Sequence, residues 1–113
     1  MREIKAYVRP ERVEAVVTAL EDAGAPHLTV THVRSFGGST DAGDRRISLE
    51  AGNWYADMVK LECVCMEANA KGLVRVVEIA ARTREPGDGI IYVTPVGEAV
   101  KIRTGAEGPE ALA

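Results

Sequence analysis

Residues 82–105, RTREPGDGIIYVTPVGEAVKIRTG, join a Pro-Gly-Asp-Gly turn to a short apolar strand and a basic triplet. Pro86 fixes one φ angle, while Gly87 and Gly89 allow positive φ. Successive backbone N–H groups of such a turn can point into one concavity, and concavities of this kind bind anions. The stretch therefore predicts an anion-binding turn at the start of a strand.

The basic triplet Lys101-Ile102-Arg103 closes the same stretch. On an extended segment, residues two apart lie on one face, so Lys101 and Arg103 would present two cations together. Combined with the glycine-rich turn, these cations predict a phosphate site. The alternative is a hairpin turn followed by a solvated basic edge strand, which the local sequence fits as well.

The length of 113 residues predicts a single domain spanning residues 1–113. A net charge of −3 gives no basic surface for nucleic acid. No apolar run approaches a membrane span and no leader pattern opens the chain, so we expect a cytoplasmic protein that is not embedded in a membrane. Cys63 and Cys65 lie two apart, a poor geometry for a mutual disulfide, and fit a reducing compartment.

Strand and helix signals alternate along the chain and predict an α+β fold. Ile4, Ala6 and Val8 alternate as on a strand, and later apolar residues recur at helical spacing. The order is that of a ferredoxin-like split βαβ sandwich, β-α-β-β-α-β plus a short tail strand. Its open sheet face predicts a symmetric oligomer. The predicted strands are residues 1–9, 27–36, 58–66, 90–93 and 99–103, and the predicted helices are residues 10–24 and 67–83.

Residues 37–57 show no clean hydrophobic period and mix Gly, Ser, Asp and Arg. A connection of about twenty residues is uncommon inside a compact domain unless it is functional. We therefore predict a functional loop at residues 37–57.

In this order of elements, the chain resembles the P-II family of nitrogen-regulatory signal proteins over nearly its full length. The matching segments are MREIKAYVRPERVEAVVTAL, LTVTHVRSFG, VKLE, AARTREPGDGIIYVTPVGEAVKIRTG and RTGAEGPEAL. The resemblance implies a homotrimer with adenine nucleotide (ATP, ADP or AMP) in the clefts between subunits. It also implies that residues 37–57 form the loop through which the family controls a partner transporter or metabolic enzyme.

The resemblance assigns nucleotide-binding roles to individual positions of this chain. Lys101 stands where the family usually has arginine, so the charge is kept but the bidentate fork is lost. The positions implied for base and ribose are Thr29, Glu62 and Val64, and those implied for the phosphates are Gly37, Gly87, Asp88, Gly89, Lys101 and Arg103. Gly38, where the family usually has arginine, is a further implied nucleotide-binding position.

Three departures from the family pattern surround the same implied pocket. Ser39 replaces a glutamine that helps to bind magnesium and 2-oxoglutarate, and Met58 and Ile90 replace lysines. A lost charge-assisted hydrogen bond costs roughly 1.5–3 kcal/mol. We therefore expect that the protein has lost the response to 2-oxoglutarate and that ADP or AMP competes well with ATP. We expect no tightly bound cofactor, and the sequence does not decide whether magnesium is required. By analogy with divergent family members, bicarbonate is a candidate replacement for 2-oxoglutarate.

The loop itself also departs from the family. The tyrosine-bearing segment that receives uridylylation is absent, so modification at Tyr55 is not expected. We predict that Arg45, Arg46, Trp54 and Tyr55 contact the partner protein, because aromatic residues and arginine are favoured anchors at interfaces. The alternative is that the aromatic rings fold back on the body of the domain.

The sequence shows no nucleophile–base pair, so we expect a regulator rather than an enzyme, with slow hydrolysis of bound ATP as the only turnover that the resemblance implies. A second hypothesis is a ferredoxin-like trimer for metal binding or metal tolerance, with ligands among Cys63, Cys65, His27 and His32. Two ligands on one strand do not complete a tetrahedral set, so burial of both cysteines in the core is favoured, and no metal ligand is assigned.

Overall fold

The structure is a computed structural model that describes residues 1–36, 45–48 and 53–113. Within these residues, two α-helices and an antiparallel sheet alternate along the chain. Short 3₁₀ turns, Pro10–Arg12 and Gly108–Leu112, precede the first helix and close the chain. The elements are β1 (Arg2–Val8), α1 (Val13–Asp22), β2 (Thr29–Ser35), β3 (Arg45–Ser48), β4 (Asn53–Cys65), α2 (Glu67–Ala81) and β5 (Ile90–Pro95).

The strand order in the sheet is β2-β4-β1-β5, with β3 paired to the beginning of β4. All pairings are antiparallel, and the register sets Ile4 opposite Cys63 and Val8 opposite Val59. The two βαβ halves therefore interleave, with β4 and β1 in the middle of the sheet. The predicted ferredoxin-like α+β fold is confirmed.

The hydrophobic core lies between one face of the sheet and the two helices. Alternation puts every second residue of β1 on this face, and Ile4, Ala6 and Val8 are all buried. Burial of a Val, Leu or Ile side chain contributes about 1.5–3 kcal/mol, so this layer stabilises the whole domain. Its other members include Val16, Leu20, Val59, Leu61, Cys63, Cys65, Leu73 and Val77.

Arg12 joins the beginning of the first helix to the end of the second. Its Nε and Nη2 donate to the carbonyl oxygen of Ala80 at 3.0 and 2.6 Å. The carbonyls in the last turn of a helix lack helical partners, and a cation there also complements the helix dipole. This contact fixes the point at which the chain leaves α2 and enters the turn before β5.

The predicted loop at residues 37–57 is wrong for two segments. Residues 45–48 form β3, and β4 begins at Asn53 rather than at Met58. The register sets Arg45 opposite Ala56 and Ser48 opposite Asn53. Backbone hydrogen bonds hold these two strands together, and such bonds do not require a regular pattern of apolar side chains. The pairing of β3 with β4 therefore could not be recognised in a segment rich in Gly and Asp.

The predicted strand at residues 99–103 is also wrong. Val100 makes a single isolated bridge to Glu107, and the chain then reverses. The Lys101 N–H donates to the Ala106 carbonyl and the Gly105 N–H to the Lys101 carbonyl, both at 2.8 Å. Gly105, with φ of +74°, permits this reversal. The segment is therefore not extended.

Cys63 and Cys65 are buried, unpaired thiols on the core face of β4, as predicted. Burial, with smaller contributions from Cys65 and Glu3, raises the pKa of Cys63 to about 11. A thiol with this pKa is almost entirely protonated at neutral pH and is a poor nucleophile. Neither helix among the described residues has the length and apolar character needed to cross a membrane.

The opposite face of the sheet carries polar and aromatic side chains and is covered by neither helix. Tyr7 and Tyr92 meet edge to face with ring centroids 6.4 Å apart, and Lys60 pairs with Glu62 at 3.3 Å. Tyr92 is half-exposed. The coverage of this face by further copies of the chain stays a prediction.

Candidate functional site

The segment that links α2 to β5, residues 83–89, is wound around the carboxylate of Asp88; we call it the Asp88 turn. Asp88 Oδ2 accepts hydrogen bonds from the backbone N–H groups of Thr83 and Arg84, both at 2.8 Å. Asp88 Oδ1 accepts from the Thr83 hydroxyl and from Arg9 Nε. One side chain thus ties both ends of the turn together.

Arg9, directly after β1, fixes the Asp88 turn to the sheet. Arg9 is 5% exposed, and its guanidinium donates from Nε to Asp88 Oδ1 at 3.0 Å and from Nη2 to the Pro86 carbonyl at 2.5 Å. A buried charge is stable only when it is paired and hydrogen-bonded, and charge-assisted hydrogen bonds are the stronger ones. The turn therefore has a defined shape and a defined position against the end of β1.

Asp88 is ionised in this setting. Its partial burial by itself would raise the pKa, but hydrogen bonds from Thr83, Arg9 and Arg84 outweigh this effect and lower the pKa to about 2. Because both oxygens are occupied by donors of the protein, the carboxylate shapes the turn. It is not positioned to carry protons near neutral pH.

Both glycines of the turn have positive φ angles, +95° at Gly87 and +102° at Gly89. A Cβ at residue 89 would lie 1.7 Å from the Tyr7 carbonyl oxygen, far inside contact distance. Only glycine fits there, because the turn presses directly on the backbone of β1. The Gly87 N–H donates to no acceptor among the described residues, so it is available to a ligand.

We predict that Gly89→Ala destabilises the protein far more than Gly24→Ala. Gly24 also has positive φ, +78°, but no atom lies within 4 Å of its Cβ position. Gly24→Ala should cost only the conformational term, about 1 kcal/mol, whereas Gly89→Ala adds a backbone clash and should cost about 3 kcal/mol or more. Urea unfolding measures both values. Equal losses would show that the close approach of Gly89 to Tyr7 is not present.

We predict that Asp88→Asn lowers the free energy of unfolding by about 2 kcal/mol at neutral pH, because an amide replaces an acceptor-only group facing four donors. The folded-state pKa of about 2 lies below the ordinary value of 3.8. The stabilisation is thus fully present above about pH 4 and is lost as the pH falls toward 2. Urea unfolding of both proteins between pH 2 and 7 should show the gap shrinking below pH 4; a gap that widens on acidification contradicts this account.

The Asp88 turn forms one wall of an open cleft of about 870 Å³. Residues 85–90 lie along this wall, Ser35 and Phe36 come from the end of β2, and Tyr7, Met58 and Tyr92 come from the sheet. Among these lining residues, the charged ones are Glu85 and Asp88, and both are acidic. The described lining of the cleft thus combines the free Gly87 N–H and apolar surface with acidic side chains and no cation.

The two positions at which the resemblance implied missing lysines both line this cleft. Met58 is 7% exposed, and its Cε lies 3.3 Å from the Cβ position at Gly89. Ile90 is half-exposed at the beginning of β5. Apolar side chains thus border the turn where the resemblance led us to expect cations.

The residues implied for base and ribose lie at a different place. Thr29 and Glu62 are direct partners across β2 and β4, and Val64 follows two residues later. Met58 of the cleft precedes Glu62 on the same strand by four residues, about 13 Å at the usual rise. Within one chain, these residues do not share a cleft with the Asp88 turn.

Lys101 and Arg103 do not line the cleft of their own chain. They belong to the reversal after β5, where Lys101 Nζ donates to the Ala113 carbonyl at 2.5 Å. The one chain therefore unites the Asp88 turn with the end of β2 and with Met58 in the middle of β4 but leaves the other implied contacts apart.

Several predicted residues of the loop fall outside what the structure describes. Gly37 and Gly38 lie outside the described residues, and the side chains of Arg45, Arg46 and Trp54 lie outside them as well. The Tyr55 ring is half-buried: its centroid lies 5.9 Å from that of Phe36 and 4.7 Å from the Arg34 guanidinium carbon. For Tyr55, this geometry favours the alternative in which the ring folds back on the body of the domain.

No three His, Cys, Asp or Glu side chains of the described residues come close enough together to hold a metal ion. His27 and His32 are exposed on or beside β2, whereas Cys63 and Cys65 are buried in the core. The metal hypothesis therefore has no ligand set in the described part of the chain.

Sequence reasoning missed Arg9, Thr83 and Tyr7. Their roles arise between segments that are distant along the chain, since Arg9 and Asp88 are 79 positions apart. It also missed Arg84, the one described residue other than glycine with positive φ, +70°. A side chain in this conformation costs about 1–3 kcal/mol, partly offset by the bond from its N–H to Asp88. No local signal in the sequence marks this strain.

Comparison with known proteins gives a consistent result. The model of the family "Nitrogen regulatory protein P-II" matches residues 1–106. The chain is 38% identical to the nitrogen regulatory protein GlnK2 of Haloferax mediterranei, covering 96% of this chain and 89% of that protein. It is 36% identical to the nitrogen regulatory protein P-II of Synechocystis sp., covering 99% of this chain and all of that protein.

A solved structure agrees with these relatives in fold. The crystal structure of Arabidopsis thaliana PII bound to citrate superimposes with a TM-score of 0.81 at 32% identity, covering 97% of this chain and 90% of that one. The matched names are those of regulatory proteins, not of enzymes. With the family match running from the first residue through the Asp88 turn and beyond β5, this chain belongs to the P-II family of nitrogen regulatory proteins.

Proposed function

We propose that the chain is a trimeric signalling protein of the cytoplasm that binds adenine nucleotide between subunits and controls a partner protein through residues 37–57. The observation that carries this proposal is the Asp88 turn, whose shape is fixed without a ligand by Asp88 and Arg9. A concavity of backbone donors that needs no rearrangement binds an anion at low entropic cost.

The separation of the implied contacts supports a site between subunits. Glu62 lies on the sheet about 13 Å from Met58 of the cleft, with Thr29 opposite it and Val64 two residues further along the strand, and Lys101 and Arg103 lie beyond β5. A nucleotide that touched all of them would need the turn of one subunit and the sheet of the next. A symmetric oligomer repeats such a contact at each interface, which is how a ring of three would carry three sites.

The charge of the cleft supports a nucleotide with few phosphates. The lining residues of one chain bring backbone donors but only carboxylates as charged groups, Glu85 and Asp88. Each further phosphate adds negative charge that must be balanced by cations from elsewhere. We therefore propose that ADP and AMP compete effectively with ATP.

The apolar borders of the cleft support the loss of a 2-oxoglutarate response. A dicarboxylate needs cations or donors to replace its water, and Met58 and Ile90 provide neither. Ser39, the third departure, lies outside the described residues. A smaller anion such as bicarbonate is the proposed replacement.

Control of the partner would follow from a population shift. A nucleotide at the Asp88 turn touches the base of the loop, because Ser35 and Phe36 line the same cleft immediately before residue 37. A ligand that binds one loop arrangement more tightly than another shifts the equilibrium between them. The proposed target is a transporter or a metabolic enzyme.

We predict from calorimetric titration that ADP and AMP bind within about tenfold of ATP, because the described lining of the cleft supplies no cation for the terminal phosphates. Adding magnesium with 2-oxoglutarate should leave the Kd of ATP unchanged, and bicarbonate is titrated in parallel as the candidate co-ligand. Tighter ATP binding in the presence of 2-oxoglutarate would contradict the proposed loss of this response.

Ile90→Lys supplies a matched variant for the same titration. It restores a cation at the half-exposed border of the cleft and should tighten ATP binding by about tenfold, the value of one charge-assisted hydrogen bond. Ile79→Lys, at an exposed position of α2, adds the same charge away from the cleft and should leave the Kd unchanged. Equal effects of the two variants would contradict the placement of phosphates at the Asp88 turn.

A further inference from the structure

The charged side chains in the described lining of the cleft beside the Asp88 turn are both acidic, so they would repel an anionic ligand. An anion held there faces the carboxylates of Glu85 and Asp88 in the same lining. Asp88 is already neutralised by Arg9, but Glu85 has no ion pair among the described residues. An anionic ligand therefore needs a cation close to the turn.

The turn contains one cation that is free to take this role. Arg82 is paired with Glu78 in the last turn of α2, and Arg9 is paired with Asp88. The Arg84 side chain is exposed and makes no hydrogen bond or ion pair within the described part of the chain. Its backbone N–H nitrogen lies 2.8 Å from Asp88 Oδ2, and the next residue, Glu85, lines the cleft. The Arg84 side chain is therefore attached one residue away from the lining of the cleft.

The backbone of Arg84 adds an independent argument. Arg84 has φ of +70°, a region that suits glycine, whereas arginine is strained there. None of the described residues holds the side chain in return through a hydrogen bond or ion pair, so its presence does not serve the stability of the turn. Strain that is kept without a structural gain marks a residue used by a ligand or by a conformational change.

We infer that Arg84 supplies the cation that binds the anionic end of the ligand held at the Asp88 turn. Arg84 thus provides the positive charge that the apolar side chains of Ile90 and Met58, at the borders of the same cleft, do not provide. Its planar guanidinium can bind a phosphate through two parallel hydrogen bonds. This inference rests on the proposed nucleotide function and assigns to Arg84 the recognition of the phosphate beyond the α position.

The test compares Arg84→Gly and Arg84→Lys with the unaltered protein. Arg84→Gly removes both cation and strain, so the melting temperature of the ligand-free protein should stay equal or rise, while the Kd for ADP weakens by about tenfold. AMP, which has no β-phosphate, should lose much less. Arg84→Lys keeps the charge and should recover most of the ADP affinity. Arg82→Ala removes one charge from the neighbouring position and should leave the Kd for ADP unchanged.

Two results would overturn the inference while the nucleotide function stands. One is ADP binding by Arg84→Gly at unaltered affinity. The other is a clear fall in the melting temperature of Arg84→Gly without ligand, which would make Arg84 a structural residue. If the unaltered protein binds neither ADP nor AMP, the proposed nucleotide function fails instead, and the inference about Arg84 fails with it.

Discussion

The contact between the Arg9 guanidinium and the Asp88 carboxylate, 3.0 Å long, is the interaction on which the candidate site depends. It joins the end of β1, in the middle of the sheet, to the turn before the edge strand β5. Through Asp88 the same contact reaches the N–H groups of Thr83 and Arg84, and so it determines where Gly87 and Gly89 lie. Without it, a buried cation and a ring of unpaired donors would be left, which costs several kcal/mol. The shape of the turn is therefore a property of the folded chain before any ligand arrives.

Much of this arrangement could be predicted from the sequence, because local rules control it. The alternation of Ile4, Ala6 and Val8 gives a core strand, and the glycines of the Asp88 turn give its positive φ angles. What could not be predicted depends on contacts between distant segments. Arg9 meets Asp88 only after the sheet has formed, and the hairpin of β3 and β4 is held by backbone pairing rather than by a side-chain pattern. The error at residues 99–103 has a local origin instead, since two backbone hydrogen bonds across Gly105 outweigh the strand preference of the apolar side chains.

A second constraint concerns how the site is divided. The Asp88 turn, the end of β2 and Met58 in the middle of β4 line one cleft, whereas Thr29 and Glu62 pair elsewhere on the sheet. The separation of these residues within one chain connects two observations, the sheet face that neither helix covers and the distance between the implied contacts of the nucleotide. If copies of the chain cover the face, the same assembly completes the site, so ligand binding and assembly depend on each other. The absence of cations from the described lining and the strained Arg84, whose side chain has no partner among the described residues, then fit the proposal that charge recognition lies in the turn rather than on β4 and β5.

The most direct test of this account is amide hydrogen exchange of Thr83 and Arg84, followed by NMR in the ligand-free protein. These N–H groups lie in an exposed segment outside regular secondary structure, yet both are bonded to Asp88. If the Arg9–Asp88 contact builds the turn before ligand binding, both amides should exchange at least about a hundredfold more slowly than in an unstructured peptide. Exchange at the rate of an unstructured peptide would show that the turn forms only with its ligand, and it would contradict the account.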